Sequence, residues 1–193
     1  MSRERYVANG TSGWLRVKLE PSGTQISLPE YLRVNYESSA GGRDFFTVRE
    51  GVHAGRKCSV VAGYLRTGNP GYKPAARLKF SLSRKLLTWA GQEVAAITSR
   101  INVIPVGTHP IQIPDFPHSG GANYVSRSEF AKSWFYLGRG NAVALNNDRY
   151  LHPGAASAGC ITVDANRWTQ LYLHLILSRG NDGKTVGTVA VVD

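Results

Sequence analysis

The chain has 193 residues, of which 42% are hydrophobic and 19% are charged. This balance suits one packed domain, or one domain with a small appendage, and excludes a wholly disordered chain. A formal net charge of +10 predicts either attraction to polyanions, such as cell-wall polymers or nucleic acid, or simply a soluble basic surface.

The first 70 residues are predicted to form short strands separated by Gly- and Ser-rich turns. The strand-like segments are residues 14–20, 31–36, 45–49 and 58–64. Cys58 lies in the last of them and is predicted to be a buried structural thiol. The Gly- and Pro-rich residues 67–74 are the best candidate boundary. We therefore predict an N-terminal β-rich extension or small subdomain over residues 1–70 and a second domain over residues 77–193.

Strand patterns dominate the second domain up to residue 113, and a turn-rich loop over residues 114–121 then suits a cleft wall or lid. Ser128 is predicted to cap a short helix over residues 128–135, with a strand over residues 134–137 and a loop over residues 138–149 following.

The end of the chain is predicted to be a helix and a strand. Asp164 is a candidate cap for a helix over residues 167–177, whose large apolar side chains recur at three- and four-residue spacing. Residues 185–192 read as a closing strand. The predicted fold class is all-β: mainly strands, with one or two peripheral helices.

The most informative motif spans residues 149–163 and places His152 eight residues before Cys160. A cysteine nucleophile needs a base to become a thiolate, and histidine is the usual one. Gly159 lets a substrate approach the main chain closely, so Gly159 and the Cys160 N–H are candidate oxyanion donors. Ser157 is predicted either to orient His152 or to cap the turn. The alternatives are a buried core thiol for Cys160 and a surface histidine for His152.

Four further residues are predicted to bind substrate. Arg149 has the planar fork that suits a carboxylate, and His118 can fold over the site and is a rival base. Tyr150 and Trp134 either line a cleft for a peptide or belong to the core. The spacing of the five histidines and two cysteines predicts no metal site and no disulfide framework, and no cofactor is expected.

Residues 157–161 resemble the Ser-His-Gly-Cys signature of the L,D-transpeptidase (YkuD-type) catalytic domain family. Residues 78–94 are similar to the family's opening hairpin, and residues 104–111 to its Thr-Pro-x-Gly-Thr segment. Ala158 stands where the family has the motif histidine, and Thr162 where it often has an arginine. The compact His-Pro-Gly…Ser-x-Gly-Cys form resembles peptidoglycan-targeting relatives of type VI secretion systems.

The resemblance implies a β-sandwich with extra N-terminal strands and a transpeptidase or carboxypeptidase that acts on peptidoglycan stem peptides. In that function Cys160 forms an acyl-enzyme and His152 is the base. The implied partners are stem peptides and an immunity protein or secretion apparatus, with no nucleic acid expected.

The implied location is the cell envelope, the periplasm or the exterior, reached by a signal-free route. Residues 1–10 lack the apolar region of a Sec signal, and no segment has the ~20 apolar residues of a membrane span. The alternative function is a non-catalytic basic module that binds cell-wall polymers or nucleic acid.

Overall fold

The computed structural model describes residues 3–8, 10–139 and 148–193. These residues form a mainly β protein with one α-helix, α1 (Ala165–Ile176), and one 3-10 helix (Ser119–Tyr124). The predicted fold class is therefore confirmed. The strands, in chain order, are β1 (Glu4–Val7), β2 (Trp14–Leu19), β3 (Gln25–Pro29), β4 (Arg33–Ala40), β5 (Arg43–Val48), β6 (Lys57–Val61), β7 (Leu65–Arg66), β8 (Lys73–Pro74), β9 (Ala76–Ser81), β10 (Leu86–Trp89), β11 (Gln92–Ile97), β12 (Gly107–Gln112), β13 (Phe135–Arg139), β14 (Asp148–Pro153), β15 (Ile161–Val163), β16 (Ser178–Arg179) and β17 (Thr185–Val192).

The first sheet contains the predicted N-terminal strands in the order β3-β2-β6-β5-β4-β1-β7. Its strand pairs are all antiparallel. Strand β5 shows why this segment becomes a strand, since Phe46 and Val48 are buried while their neighbours Phe45 and Thr47 are half-buried. Alternation of this kind buries one face of an antiparallel sheet.

The second sheet has the order β12-β17-β9-β10-β11-β15-β14-β13. The predicted hairpin over residues 78–94 forms the antiparallel run β9, β10 and β11. The predicted closing strand is β17, which pairs in parallel with β9. Strand β14 pairs in parallel with β15, and this pairing brings the motif around Cys160 together.

Helix α1 follows β15 directly. The carboxylate of Asp164 accepts a hydrogen bond from the Asn166 N–H at 2.9 Å, so the predicted cap is present. The helix begins two residues before the predicted start. Its apolar face is fully buried through Trp168, Leu171 and Leu175, which fixes the end of β15 against the core.

The predicted helix over residues 128–135 is wrong. Those residues form turns that lead into β13, and the 3-10 helix lies earlier in the chain. The hydroxyl of Ser128 lies 2.8 Å from the Thr169 hydroxyl, and the Trp168 indole donates to the Phe130 carbonyl at 3.0 Å. Contacts with α1 therefore replace the local capping that the sequence pattern suggested.

The two sheets share one continuous hydrophobic core. A buried ion pair also holds the first sheet to the separate pair of short strands β8 and β16: Glu50, which follows β5, accepts hydrogen bonds from Arg179 in β16 at 2.9–3.0 Å. The segment that connects the two large sheets in sequence contains β8, which pairs in parallel with β16. The division into a subdomain over residues 1–70 and a domain over residues 77–193 stays a prediction.

Candidate active site

The parallel pairing of β14 with β15 places His152 opposite Thr162 and Leu151 opposite Ile161. Cys160 directly precedes β15, and its Sγ accepts a hydrogen bond from the Tyr150 N–H at 3.4 Å. The pairing and this contact therefore bring His152 and Cys160 onto neighbouring strand segments, although they are eight residues apart in sequence.

The imidazole of His152 is buried and has a hydrogen-bond partner at each nitrogen. Nδ1 lies 3.0 Å from the Pro153 carbonyl, which can only accept, so Nδ1 carries the proton of the neutral ring. Nε2 lies 3.0 Å from the Thr162 hydroxyl. Burial lowers the pKa of His152 to about 4, although the Pro153 carbonyl opposes this shift. The ring is therefore neutral at pH 7, with Nε2 as its basic atom.

Thr162, which sequence reasoning missed, is the residue whose hydroxyl is hydrogen-bonded to this basic atom. Its hydroxyl has a second acceptor, the Ala156 carbonyl at 3.2 Å. Because a hydroxyl has one proton, it can donate to only one of the two at a time. The thiol of Cys160 has its own partner in the Tyr150 N–H, and the role of His152 as its base stays a prediction.

The thiol of Cys160 is partly exposed. Burial raises its pKa, while the Tyr150 N–H and the Arg149 charge act in the opposite direction. The resting site therefore contains a thiol and a neutral imidazole. The other cysteine, Cys58, is also free and lies buried in the first sheet, where burial raises its pKa to about 11. The two cysteines thus do not form the disulfide bond that would remove the proposed nucleophile.

The loop before Cys160 is held by Ser157 and requires glycine at position 159. The Ser157 hydroxyl donates to the Cys160 carbonyl at 2.8 Å and accepts from the Gly159 N–H at 3.3 Å. Ser157 therefore fixes the turn, and it engages one of the two predicted oxyanion donors. Gly159 has φ +135°, and a Cβ atom there would lie 2.6 Å from Nη1 of Arg149. Any side chain would displace this guanidinium.

Arg149 is buried, being only 2% exposed. Its Nη2 donates to the Asn102 side-chain oxygen at 2.6 Å, and the Asn102 amide donates to the Ala158 carbonyl at 2.9 Å. Among the described residues its Nε has no hydrogen-bond partner. Arg149 and Asn102 together clamp the cysteine loop, and Asn102 has no sequence signal that would single it out. The predicted contact of Arg149 with a substrate carboxylate stays a prediction.

A stack of rings forms one wall of the site. His152 stacks on Trp134 at 4.3 Å between ring centroids, Trp134 on His118 at 4.4 Å, and His118 on Phe116 at 4.2 Å. The predicted residues His118 and Trp134 are thus brought next to His152. His118 is buried, whereas Trp134 and Phe116 keep part of their surface open to solvent.

Asp115 joins this wall to Tyr150. One carboxylate oxygen lies 3.0 Å from Nε2 of His118, and the other accepts from the Tyr150 hydroxyl at 3.2 Å. Burial alone would raise the pKa of Asp115, but the hydrogen bonds from His118 and the Phe116 N–H hold it below its ordinary value. The position of Asp115 three residues before His118, in a turn-rich loop, is the signal that could have identified it.

Within residues 3–8, 10–139 and 148–193, no group of three or more His, Cys, Asp or Glu side chains is arranged to hold a metal ion. No helix in the described part of the chain is long and apolar enough to cross a membrane. Most of the predicted loop over residues 138–149 lies outside the described residues.

Comparisons with known proteins give distant similarities only. No family model and no curated protein matches the chain. Among solved structures, the chain is similar to L,D-transpeptidase 1 of Mycobacterium tuberculosis, with 11% identity over 82% of this chain and 98% of the other, at a TM-score of 0.37. It is also similar to an L,D-transpeptidase from Mycobacterium tuberculosis H37Rv, with 13% identity over 92% of this chain and 80% of the other, at a TM-score of 0.36.

Proposed function

We propose that this chain is a cysteine-dependent transpeptidase or carboxypeptidase that acts on peptidoglycan stem peptides in the cell envelope. The observation that carries the proposal is the parallel pairing of β14 with β15, which places a neutral histidine, His152, beside the strand that Cys160 directly precedes. The motif around Cys160 supports the choice of substrate through its resemblance to the L,D-transpeptidase family.

In the proposed reaction the Cys160 sulfur attacks a peptide carbonyl carbon, and its proton passes to Nε2 of His152. Before this transfer Thr162 turns its hydroxyl to the Ala156 carbonyl, which leaves the Nε2 lone pair open. Breakdown of the tetrahedral intermediate gives a thioester on Cys160 and an amine, which takes the proton from His152. An acceptor amine then gives exchange or cross-linking, and water gives hydrolysis.

The remaining site residues have supporting roles in this proposal. The Pro153 carbonyl holds the His152 ring in the tautomer whose Nε2 is basic. The Cys160 N–H is the proposed oxyanion donor, since the Gly159 N–H is bonded to Ser157. Trp134 and Tyr150, whose rings contact each other, offer aromatic surface for a peptide chain.

The test is mass spectrometry of purified tetrapeptide and pentapeptide muropeptides incubated with the wild type, Cys160→Ala and His152→Gln. We expect loss or exchange of the terminal residue with the wild type, none with Cys160→Ala, and a strong reduction with His152→Gln. Cys58→Ala removes the other thiol and is the matched control, which should retain activity. Unchanged turnover by Cys160→Ala would refute the mechanism.

The second candidate function is a non-catalytic basic module for cell-wall polymers or nucleic acid. The observation that favours it is that Nε2 of His152 is bonded to Thr162, and the Cys160 thiol to the Tyr150 N–H. The rate of Cys160 alkylation separates the two functions. If His152→Gln slows alkylation at neutral pH, the imidazole assists the thiol, as the enzyme requires. An unchanged rate favours the module.

A further inference from the structure

A basic groove lies on the exposed face of the first sheet. Strands β2, β3 and β6 form its floor, and Pro117 and Lys132 from the second half of the chain stand at its edge. Its volume is about 660 Å³. None of the residues proposed to carry the reaction lines it, so the groove is separate from the candidate active site.

The side chains that line the groove carry one sign of charge. Arg16 and Lys18 are exposed at alternate positions of β2, Arg43 lies two strands away on β5, and Lys132 faces them from the edge. Among the described residues that line the groove, none has a carboxylate. Arg43 donates to the hydroxyl and carbonyl of Ser59 at 3.1 and 3.0 Å, so its guanidinium is held in place. The arrangement favours an anionic occupant.

The spacing of these charges matches an extended polypeptide. Side chains at alternate positions of a strand are roughly 6.5–7 Å apart, and an extended chain lying along β2 has the same repeat. Val61 of β6 lies between Arg43, with which it is paired, and the basic side chains of β2, and it is 55% exposed. The floor therefore has an exposed apolar side chain with basic side chains on both sides.

We infer that this groove binds an extended acidic segment of a partner protein, with alternate carboxylates paired to Arg16 and Lys18. Single-stranded nucleic acid fits the groove less well, because such strands need aromatic platforms for their bases. Among the described aromatic residues of the lining, Tyr64 is exposed and Trp14 is buried. The inference does not depend on the chemistry of Cys160.

The test is fluorescence anisotropy of a labelled peptide of alternating Glu and Ala with the full chain. The variant Arg16→Gln/Lys18→Gln removes two exposed charges from β2. The matched control is Arg77→Gln/Lys79→Gln, which removes an arginine and a lysine at the same spacing from exposed positions of β9. Loss of two ion pairs should weaken binding about tenfold in the groove variant, and the control should stay within about twofold of the wild type.

Two results would overturn the inference. Equal weakening by both double variants would show that the peptide responds only to net charge. Tighter binding of a single-stranded oligonucleotide of equal charge, lost in the Arg16→Gln/Lys18→Gln variant, would identify the groove as a nucleic-acid site. A second variant, Val61→Glu, places a negative charge on the floor at an exposed position. It should also weaken peptide binding, and an unchanged affinity would contradict the proposed path of the peptide.

Discussion

His152 links the state of the candidate site to the stability of the whole chain. Its pKa is about 4 in the folded state, against an ordinary value of 6.5, because burial disfavours the charged ring. Between these values the unfolded chain binds more protons than the folded chain. The contribution of His152 to stability is therefore complete above about pH 6.5 and is lost as the pH falls towards 4.

We expect the free energy of unfolding to decrease by about 3 kcal/mol across this window. His152→Gln should remove most of that decrease, as measured by urea denaturation between pH 4 and pH 8. His174→Gln is the control. Burial also lowers the pKa of His174, but this side chain is only half-buried. A His152→Gln variant with the pH dependence of the wild type would show that the ring is not buried in its neutral form.

Arg149 acts on Cys160 through its charge and through the loop that it clamps. Its guanidinium lowers the pKa of the Cys160 thiol, against the opposing effect of burial. We expect Arg149→Met to shift the pH profile of Cys160 alkylation to higher pH, with the labelled residue identified by mass spectrometry. Arg149→Lys should retain part of the effect, because it keeps the charge but loses the bond geometry to Asn102.

The control for Arg149 is Arg100→Gln, which removes an exposed arginine from the segment that contains Asn102. It should leave the profile unchanged. If Arg149→Met lowered stability but left the profile in place, the guanidinium would have a structural role alone.

At the scale of elements, Asp164 caps α1 and also directly follows β15, the strand after Cys160. The Asp164 carboxylate satisfies the Asn166 N–H at the first turn, and the helix buries Trp168 directly afterwards. We expect Asp164→Ala to lower the free energy of unfolding by about 1 kcal/mol. Asp164→Ser should restore most of it, because a serine hydroxyl caps equally well. Thermal denaturation of the three proteins measures this effect, and equal stability of all three would contradict it.

The stack of rings that forms one wall of the site holds His152 through several residues together. Phe116 and His118 come from one loop, Trp134 from the residue before β13 and His152 from β14, and each ring contacts the next. Stacking restricts the His152 ring, and hydrogen bonds at both nitrogens then fix its orientation. The wall therefore positions the proposed base before any substrate arrives.

At the scale of the whole molecule, Glu50 joins the first sheet to β16, which belongs to the separate pair of short strands β8 and β16. Its carboxylate is 2% exposed and binds Arg179 of β16 and Arg33 of β4. The Arg179 guanidinium also donates to the carbonyls of Tyr31 and Ile176, and it lies 4.6 Å from the Tyr72 ring. Removing the carboxylate leaves a buried cation without its counter-charge.

We expect Glu50→Ala to lower the free energy of unfolding by about 3–5 kcal/mol. The control is Arg49→Gln, which breaks the exposed pair between Arg49 and Glu4 and should cost less than about 1 kcal/mol. Because the sheets share one core, tryptophan fluorescence and circular dichroism should report a single transition in urea for both proteins. Separate transitions in the wild type would show that the first sheet folds independently.

Local patterns were sufficient for much of the fold. Short strand-like segments between turn signals predicted strands such as β5 and β17, and Asp164 before an apolar helical stripe predicted α1 and its cap. These features depend on residues that are close in sequence, so the sequence encodes them directly. The predicted helix over residues 128–135 failed because a distant contact decides the structure of that segment. Its predicted capping residue, Ser128, bonds to Thr169, which lies far along the chain.

The sequence by itself determined the mainly β class and placed Cys160, His152, Ser157 and Gly159 in one short motif. Only the tertiary structure decided what each of them contacts. It bonds His152 to Thr162, uses Ser157 to hold the cysteine loop, and buries Arg149 against Asn102. The Ser157 contacts are local, but Asn102 lies 47 residues from Arg149 and Thr162 reaches His152 only through strand pairing, and contacts of that kind leave no periodic signal in the chain.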